Sequence, residues 1–231
     1  AGRSLPEYRA VRGPGSILDA IKQPTLSAEI TLQPVRRYGV DAAILYSDIV
    51  VPAHAVGFGV DVAPGTGPVV GEPFRSSGDL ARLRSFEPEV DAPYVAETCR
   101  LVVAELAARH GDTPLIAFAG APFTVASYLV EGRPSRTYEH TKALMWGDEA
   151  TWHRLLDQLA SWSIDSIRSQ LDAGASAFQL FDSWAGALSR VDYEQFVQPH
   201  SRRVFEELAS SHPSVPGIHF GIGCDHLLES M

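Results

Sequence analysis

Lysine is scarce in this chain: of nineteen basic residues only Lys22 and Lys142 are lysines, the rest being arginine. That scarcity leaves few candidates for Schiff-base chemistry. Cysteine is equally thin, with Cys99 and Cys224 alone. Two thiols build neither a disulfide framework nor a multi-cysteine metal site, and both read as small buried hydrophobes. No apolar run approaches the ~20 residues that span a bilayer. The opening residues carry Arg3, Glu7, Arg9 and Arg12 with no apolar stretch of the secretory kind. A cytoplasmic location is therefore expected. Positive charge is in deficit, with 28 acids against 19 bases and a net charge of −9, which argues against non-specific nucleic-acid binding. No glycine-rich dinucleotide fingerprint follows any strand, and no paired His-x-x-x-His or cysteine cluster offers a metal site.

What is present suits one substantial core: 231 residues, 45% hydrophobic, with a mean hydropathy of −0.02. Four segments read as buried strands, at 42–48, 115–120, 177–182 and 217–221. Each is apolar on nearly every residue, as strands covered on both faces are. Amphipathic helical patterns cover 93–109, 151–173 and 192–210, the first two closed by Gly111 and Gly174. The Gly-, Pro- and Val-rich stretch 49–74 reads as a hairpin or long loop. Strands alternating with helices imply a parallel α/β protein, either a doubly wound sheet or a (β/α)8 barrel. Four strands amount to half a barrel.

In parallel α/β folds the C-terminal strand ends face the site. Those ends carry Ser47 and Asp48, then Gly120-Ala121-Pro122, then Asp182 and Ser183, then Gly221-Ile222-Gly223. A carboxylate at one end and a hydroxyl at another are candidate ligand contacts. Asp48 reads equally well as a carboxylate capping the following helix, and Ser183 as part of a simple turn.

Four blocks together resemble the uroporphyrinogen decarboxylase family. They are Ala-Gly-Arg-Ser-Leu-Pro-Glu-Tyr (1–8), the segment Thr31–Ile49 with its aspartate, Phe118–Thr124 followed by Tyr128 and Val130-Glu131-Gly132, and Phe-Asp-Ser-Trp-Ala-Gly (181–186). They stand in the family's order over most of the chain. The resemblance implies a (β/α)8 TIM barrel, one domain over 1–231 that is only part of the family's barrel, and a homodimer using no metal or organic cofactor. The family's first block begins with Met-Arg-Gln before what is Ala1 here, and the family continues past Met231 to a Gly-His-Gly block. A longer native protein is therefore expected.

The implied reaction removes carbon dioxide from the four acetate side chains of uroporphyrinogen, giving coproporphyrinogen. The residues matching the family's functional positions are Arg3, Arg12, Asp48, Tyr128 and Ser183. A pyrrole ring protonated at carbon is its own electron sink, so no cofactor is needed. Arginines suit the eight rim carboxylates, and one carboxylate, Asp48, can accept the four central pyrrole N–H bonds. Catalytic roles fall to Asp48, Arg3 and Tyr128. Substrate binding falls to Arg3, Arg12, Asp48, Tyr128 and Ser183. Arg9 reads as solvated charge. Two rival readings are a zinc-dependent, corrinoid-linked barrel methyltransferase and a non-catalytic tetrapyrrole-binding fragment.

His219, Cys224 and His226 do not fit the methyltransferases' His-x-Cys pattern, and His219 reads as a satisfied strand histidine. His54 stands in a loop without a partner in sequence. Trp146, Trp152 and Trp162 read as helix-packing anchors.

Overall fold

The computed structural model describes residues 2–63, 65–111 and 113–231. After a 3-10 turn at Gly2–Ser4, the chain forms α1 (Pro6–Arg12), α2 (Ile17–Ile21) and α3 (Pro24–Tyr38). Pro24 opens α3, where a missing N–H costs nothing, and Gly39 closes it in the left-handed region at φ 60°, ψ 43°. Strand β1 (Ala43–Ile44) and helix α4 (Val51–Ala55) follow. The hairpin β2 (Val60–Ala63) and β3 (Gly67–Val70) is antiparallel and stands apart from the main sheet. Next come α5 (Pro88–Asp91), α6 (Pro93–Arg109), β4 (Leu115–Gly120), α7 (Pro122–Glu131), α8 (Glu139–Gly147) and α9 (Glu149–Asp172). The chain ends with β5 (Ala177–Asp182), α10 (Arg190–Phe196), α11 (Gln198–Ser211) and β6 (Gly217–Gly221).

The main sheet has the order β1-β4-β5-β6, every pair parallel. Neighbours in space are thus successive in the chain, the winding of consecutive βα units in part of a (β/α)8 barrel. Ala117, Ala119 and Leu180 are fully or nearly fully buried in this sheet, and Trp152, Leu155, Leu156 and Leu159 of α9 close its covering layer. The α/β class and the sequential parallel sheet agree with the expectation from sequence.

Several boundaries differ from the pattern reading, each for a local reason. The ladder of β1 stops early because the Tyr46 amide donates 2.8 Å to the Thr31 hydroxyl of α3 instead of to a strand. The helix expected over 192–210 is two helices: α10 ends at Phe196, and Pro199 in the first turn of α11 has no N–H with which to continue a ladder. Helix α9 begins two residues early, capped by Asp148, whose Oδ1 accepts from the Thr151 amide at 3.1 Å. The 49–74 stretch contains α4 as well as the hairpin. Trp152 and Trp162 are buried anchors, but Trp146 is 57% exposed and donates to Asp192. Cys99 and Cys224 are buried free thiols.

Candidate active site

The C-terminal ends of the strands gather at one edge of the sheet. Beside it opens a cavity of about 610 Å³, lined by Arg3, Asp48, Tyr128 and Ser183 together with Ile44, Tyr46, Phe118 and Phe181. Four residues singled out by sequence thus come together from four separate segments. The floor is apolar. Phe118 and Phe181 meet edge to face with centroids 5.3 Å apart, and Phe181 meets Phe220 in the same way at 5.3 Å.

Asp48 follows the early exit of β1. Its Oδ1 accepts from the Val50 amide at 3.2 Å, so it braces the approach to α4 while also facing the cavity. The first turn of α4 itself has no side-chain cap, so Asp48 braces the residue before the helix rather than capping it. Burial pushes its pKa above the ordinary carboxylate value, opposed by the Val50 amide, the positive charge of Arg3 and the Ile49 amide. The loop carrying Asp48 packs closely on β4 because residue 120 is glycine. A Cβ there would meet Val125 Cγ2 at 2.5 Å and Ile49 Cβ at 2.9 Å. Arg3, on the opening 3-10 turn, is the one cation among the described residues lining the cavity.

Tyr128 is half-buried on α7. Its hydroxyl pKa is pushed up to about 12, first by burial, then by the charge of Asp48 and by Tyr138. It is therefore a standing O–H donor at any working pH. Its ring lies against Trp184, centroids 4.0 Å apart, and Trp184 in turn packs on Tyr138 at 5.3 Å. Ser183 begins the turn after β5. Gly186 in that turn admits the carbonyls of Ile222 and Gly223, which a Cβ would meet at 2.3 and 2.5 Å.

Arg12 stands apart from the other four. Its guanidinium donates to the carbonyls of Gly13 at 3.3 Å and Gly15 at 2.8 Å, bracing the loop between α1 and α2. It does not line the cavity, but it stands against the hydroxyl of Tyr46, which does. Tyr46, pushed up to about 12 by burial and the Tyr8 hydroxyl, lies 3.4 Å from that hydroxyl. Arg9 is exposed.

Beneath the site, Asp182 is completely buried. One carboxylate oxygen accepts from Thr124 at 3.0 Å, and the other lies 3.6 Å from Nε2 of His219. The histidine expected to be satisfied has no hydrogen bond at either ring nitrogen; the approach of Asp182 and the Phe205 ring at 5.2 Å occupy its surroundings instead. His226 contacts the Leu188 carbonyl at 2.8 Å. Among the described residues no three of His, Cys, Asp and Glu converge as a metal site would require. Sequence reasoning passed over Tyr46, Thr124 and Trp184. All three lay inside quoted motifs, and only contacts between separate segments distinguish them.

The profile of the uroporphyrinogen decarboxylase (URO-D) family matches residues 1–231. The chain belongs to the uroporphyrinogen decarboxylase family. It is 56% identical to the uroporphyrinogen decarboxylase of Salinispora tropica over 231 residues, all of this chain and 60% of that protein. It is 57% identical to that of Saccharopolyspora erythraea over 233 residues, covering 63% of that protein. Against the Streptomyces coelicolor decarboxylase it is 58% identical over 228 residues, 99% of this chain and 62% of that one. The chain therefore spans less than two thirds of the length of these relatives. A methyltransferase from Methanosarcina mazei superposes with a TM-score of 0.70 over 97% of this chain and 64% of its own. At 21% identity that likeness concerns the fold alone.

Proposed function

We propose that the protein carrying this chain is a uroporphyrinogen decarboxylase, a carboxy-lyase converting uroporphyrinogen III to coproporphyrinogen III in haem biosynthesis without a cofactor. The observation that carries the reading is the convergence of Arg3, Asp48, Tyr128 and Ser183 on one cavity with an apolar, aromatic floor. A porphyrinogen has an apolar body, central N–H donors and an anionic rim, and each demand meets a matching group.

Asp48 accepts the pyrrole N–H bonds and stabilises the positive charge that develops when a ring carbon is protonated. Such a field reaches several kcal/mol in a water-poor site. The C–C bond to the acetate carboxylate then breaks, carbon dioxide leaves, and its electron pair neutralises the ring. Protonation of the resulting exocyclic carbon and loss of the ring proton leave a methyl group, so one proton replaces each carbon dioxide. Tyr128 and Ser183 donate to the acetate under attack, and Arg3 pairs with a rim carboxylate. Arg12 acts at the edge of the site, through Tyr46 or on a longer side chain of the substrate.

The same reading takes residues 1–231 as one barrel domain and the working protein as a cytoplasmic homodimer with no nucleic-acid or membrane partner. No described helix is long and apolar enough to cross a membrane. Anaerobic incubation with uroporphyrinogen, then oxidation and chromatography, tests the activity. Products with seven to four carboxylates support it; their absence from the intact protein removes it. Light scattering in solution tests the dimer.

A further inference from the structure

Thr124 lies on α7 one helical turn before Tyr128 and is fully buried. Its hydroxyl donates to Asp182 Oδ1 at 3.0 Å and accepts from the backbone N–H of Trp184 at 3.3 Å. These two partners flank Ser183 in the chain. One side chain thus bridges the turn on which Ser183 sits, holding it before and after. A second tie crosses the same junction, where the Ala121 amide donates to the Phe181 carbonyl at 2.9 Å. The Trp184 indole, positioned by this turn, packs on the Tyr128 ring. Thr124 therefore connects Ser183 and Tyr128, two of the hydroxyl-bearing residues of the cavity, although it does not line the cavity itself.

We infer that Thr124 is a positioning residue, whose hydroxyl fixes the Ser183 turn and, through Trp184, the orientation of Tyr128. The inference rests on the reading of Ser183 and Tyr128 as acetate-binding groups. The physical reason is preorganisation. A donor held by a buried, fully engaged hydroxyl pays no reorganisation when charge moves, and a shift near 1 Å is costly in rate. Threonine suits the position because its hydroxyl gives and accepts one bond each while its methyl fills the packed interior. Valine matches the shape but leaves the Asp182 oxygen and the Trp184 amide unpaired. Serine keeps both bonds.

The test compares Thr124→Val, Thr124→Ser, Ser183→Ala and the Thr124→Val/Ser183→Ala pair with the wild type. Turnover of uroporphyrinogen and hydrogen exchange of the Trp184 amide are both measured. Thr124→Val should lower kcat about tenfold with a smaller change in KM. Thr124→Ser should restore it. In the Ser183→Ala background most of the loss should vanish, because both changes disable one contact. A loss that persists in full there, or a serine variant as poor as valine, overturns the inference. The Trp184 amide should be protected in the wild type and exposed in Thr124→Val. Equal exchange in the two overturns the clamp whatever the turnover. Wild-type protein without turnover but with Trp184 protection that depends on Thr124 discards the proposed activity and leaves the clamp standing. Should Thr124→Val fail to fold, fast exchange of Trp184 in the wild type alone is enough to overturn it.

Discussion

The indole of Trp184 lies 4.0 Å, centroid to centroid, from the phenol ring of Tyr128. The two residues come from different strand ends, Trp184 from the turn after β5 and Tyr128 from α7. Their contact joins the third and second βα units of the sheet at the mouth of the cavity. Aromatic pairs of this kind contribute about 0.5–1.5 kcal/mol beyond area burial. Trp184→Leu should therefore lower kcat roughly three- to tenfold while the protein stays folded. Steady-state kinetics beside thermal unfolding check this; unchanged kcat would detach Trp184 from the site.

The proposed function makes Tyr128 a donor through a hydroxyl whose pKa is pushed up to about 12. Tyr128→Phe removes the donor and should cost about 1–2 kcal/mol of transition-state stabilisation, roughly tenfold in rate. Because the tyrosine stays protonated across the working range, the wild type and the variant should share one alkaline limb up to about pH 10. Rate profiles of both proteins measure this.

Asp48 should weaken the fold at neutral pH. Burial raises its pKa above the ordinary 3.8, so the folded chain binds its proton more tightly than the unfolded chain does. The stability this provides is full below 3.8 and is lost as pH rises through the raised value. At pH 7, above the ordinary value, burying this carboxyl group is then a net cost. Asp48→Asn should melt higher than the wild type at pH 7, with the advantage shrinking as the pH falls toward 3.8. Calorimetry across that range decides it. The arrangement is a stability sacrifice of the kind that functional groups impose.

Gly120 meets no conformational demand, but it does meet a steric one. A methyl group there would press on Val125 and on Ile49, next to Asp48. Gly120→Ala should destabilise the protein by about 1–3 kcal/mol, as overpacking does. It should also lower kcat by moving the Asp48 loop. Denaturant unfolding and kinetics on the same sample separate the two effects.

Strands β4, β5 and β6 were legible to the residue because each is a short, mostly apolar run closed by small or polar residues. Helix α6 was legible because Pro93 starts it and Gly111 follows its end. What failed was long-range. Nothing near Tyr46 reveals that its amide will leave the sheet for Thr31. Pro199 was a readable stop inside the 192–210 helix, overridden by strong amphipathic periodicity on both sides. Of the four residues that meet at the cavity, Asp48 and Ser183 stood at strand ends, whereas Arg3 on the opening turn and Tyr128 on α7 were singled out through the family resemblance. Arg12 was singled out through the family resemblance, but it does not line the cavity, and its bonds to Gly13 and Gly15 depend on a loop shape that no spacing encodes. The roles of Thr124 and Trp184 exist only across the β4–β5 junction.

The central claim is that Asp48 anchors and activates a porphyrinogen in this cavity. Its most direct test is anaerobic turnover of uroporphyrinogen by Asp48→Ala beside the wild type, both checked by near-ultraviolet circular dichroism. The account predicts stepwise products from the wild type and a loss of at least about a hundredfold in the variant, with the fold unchanged. A folded Asp48→Ala protein that decarboxylates at the wild-type rate would contradict it.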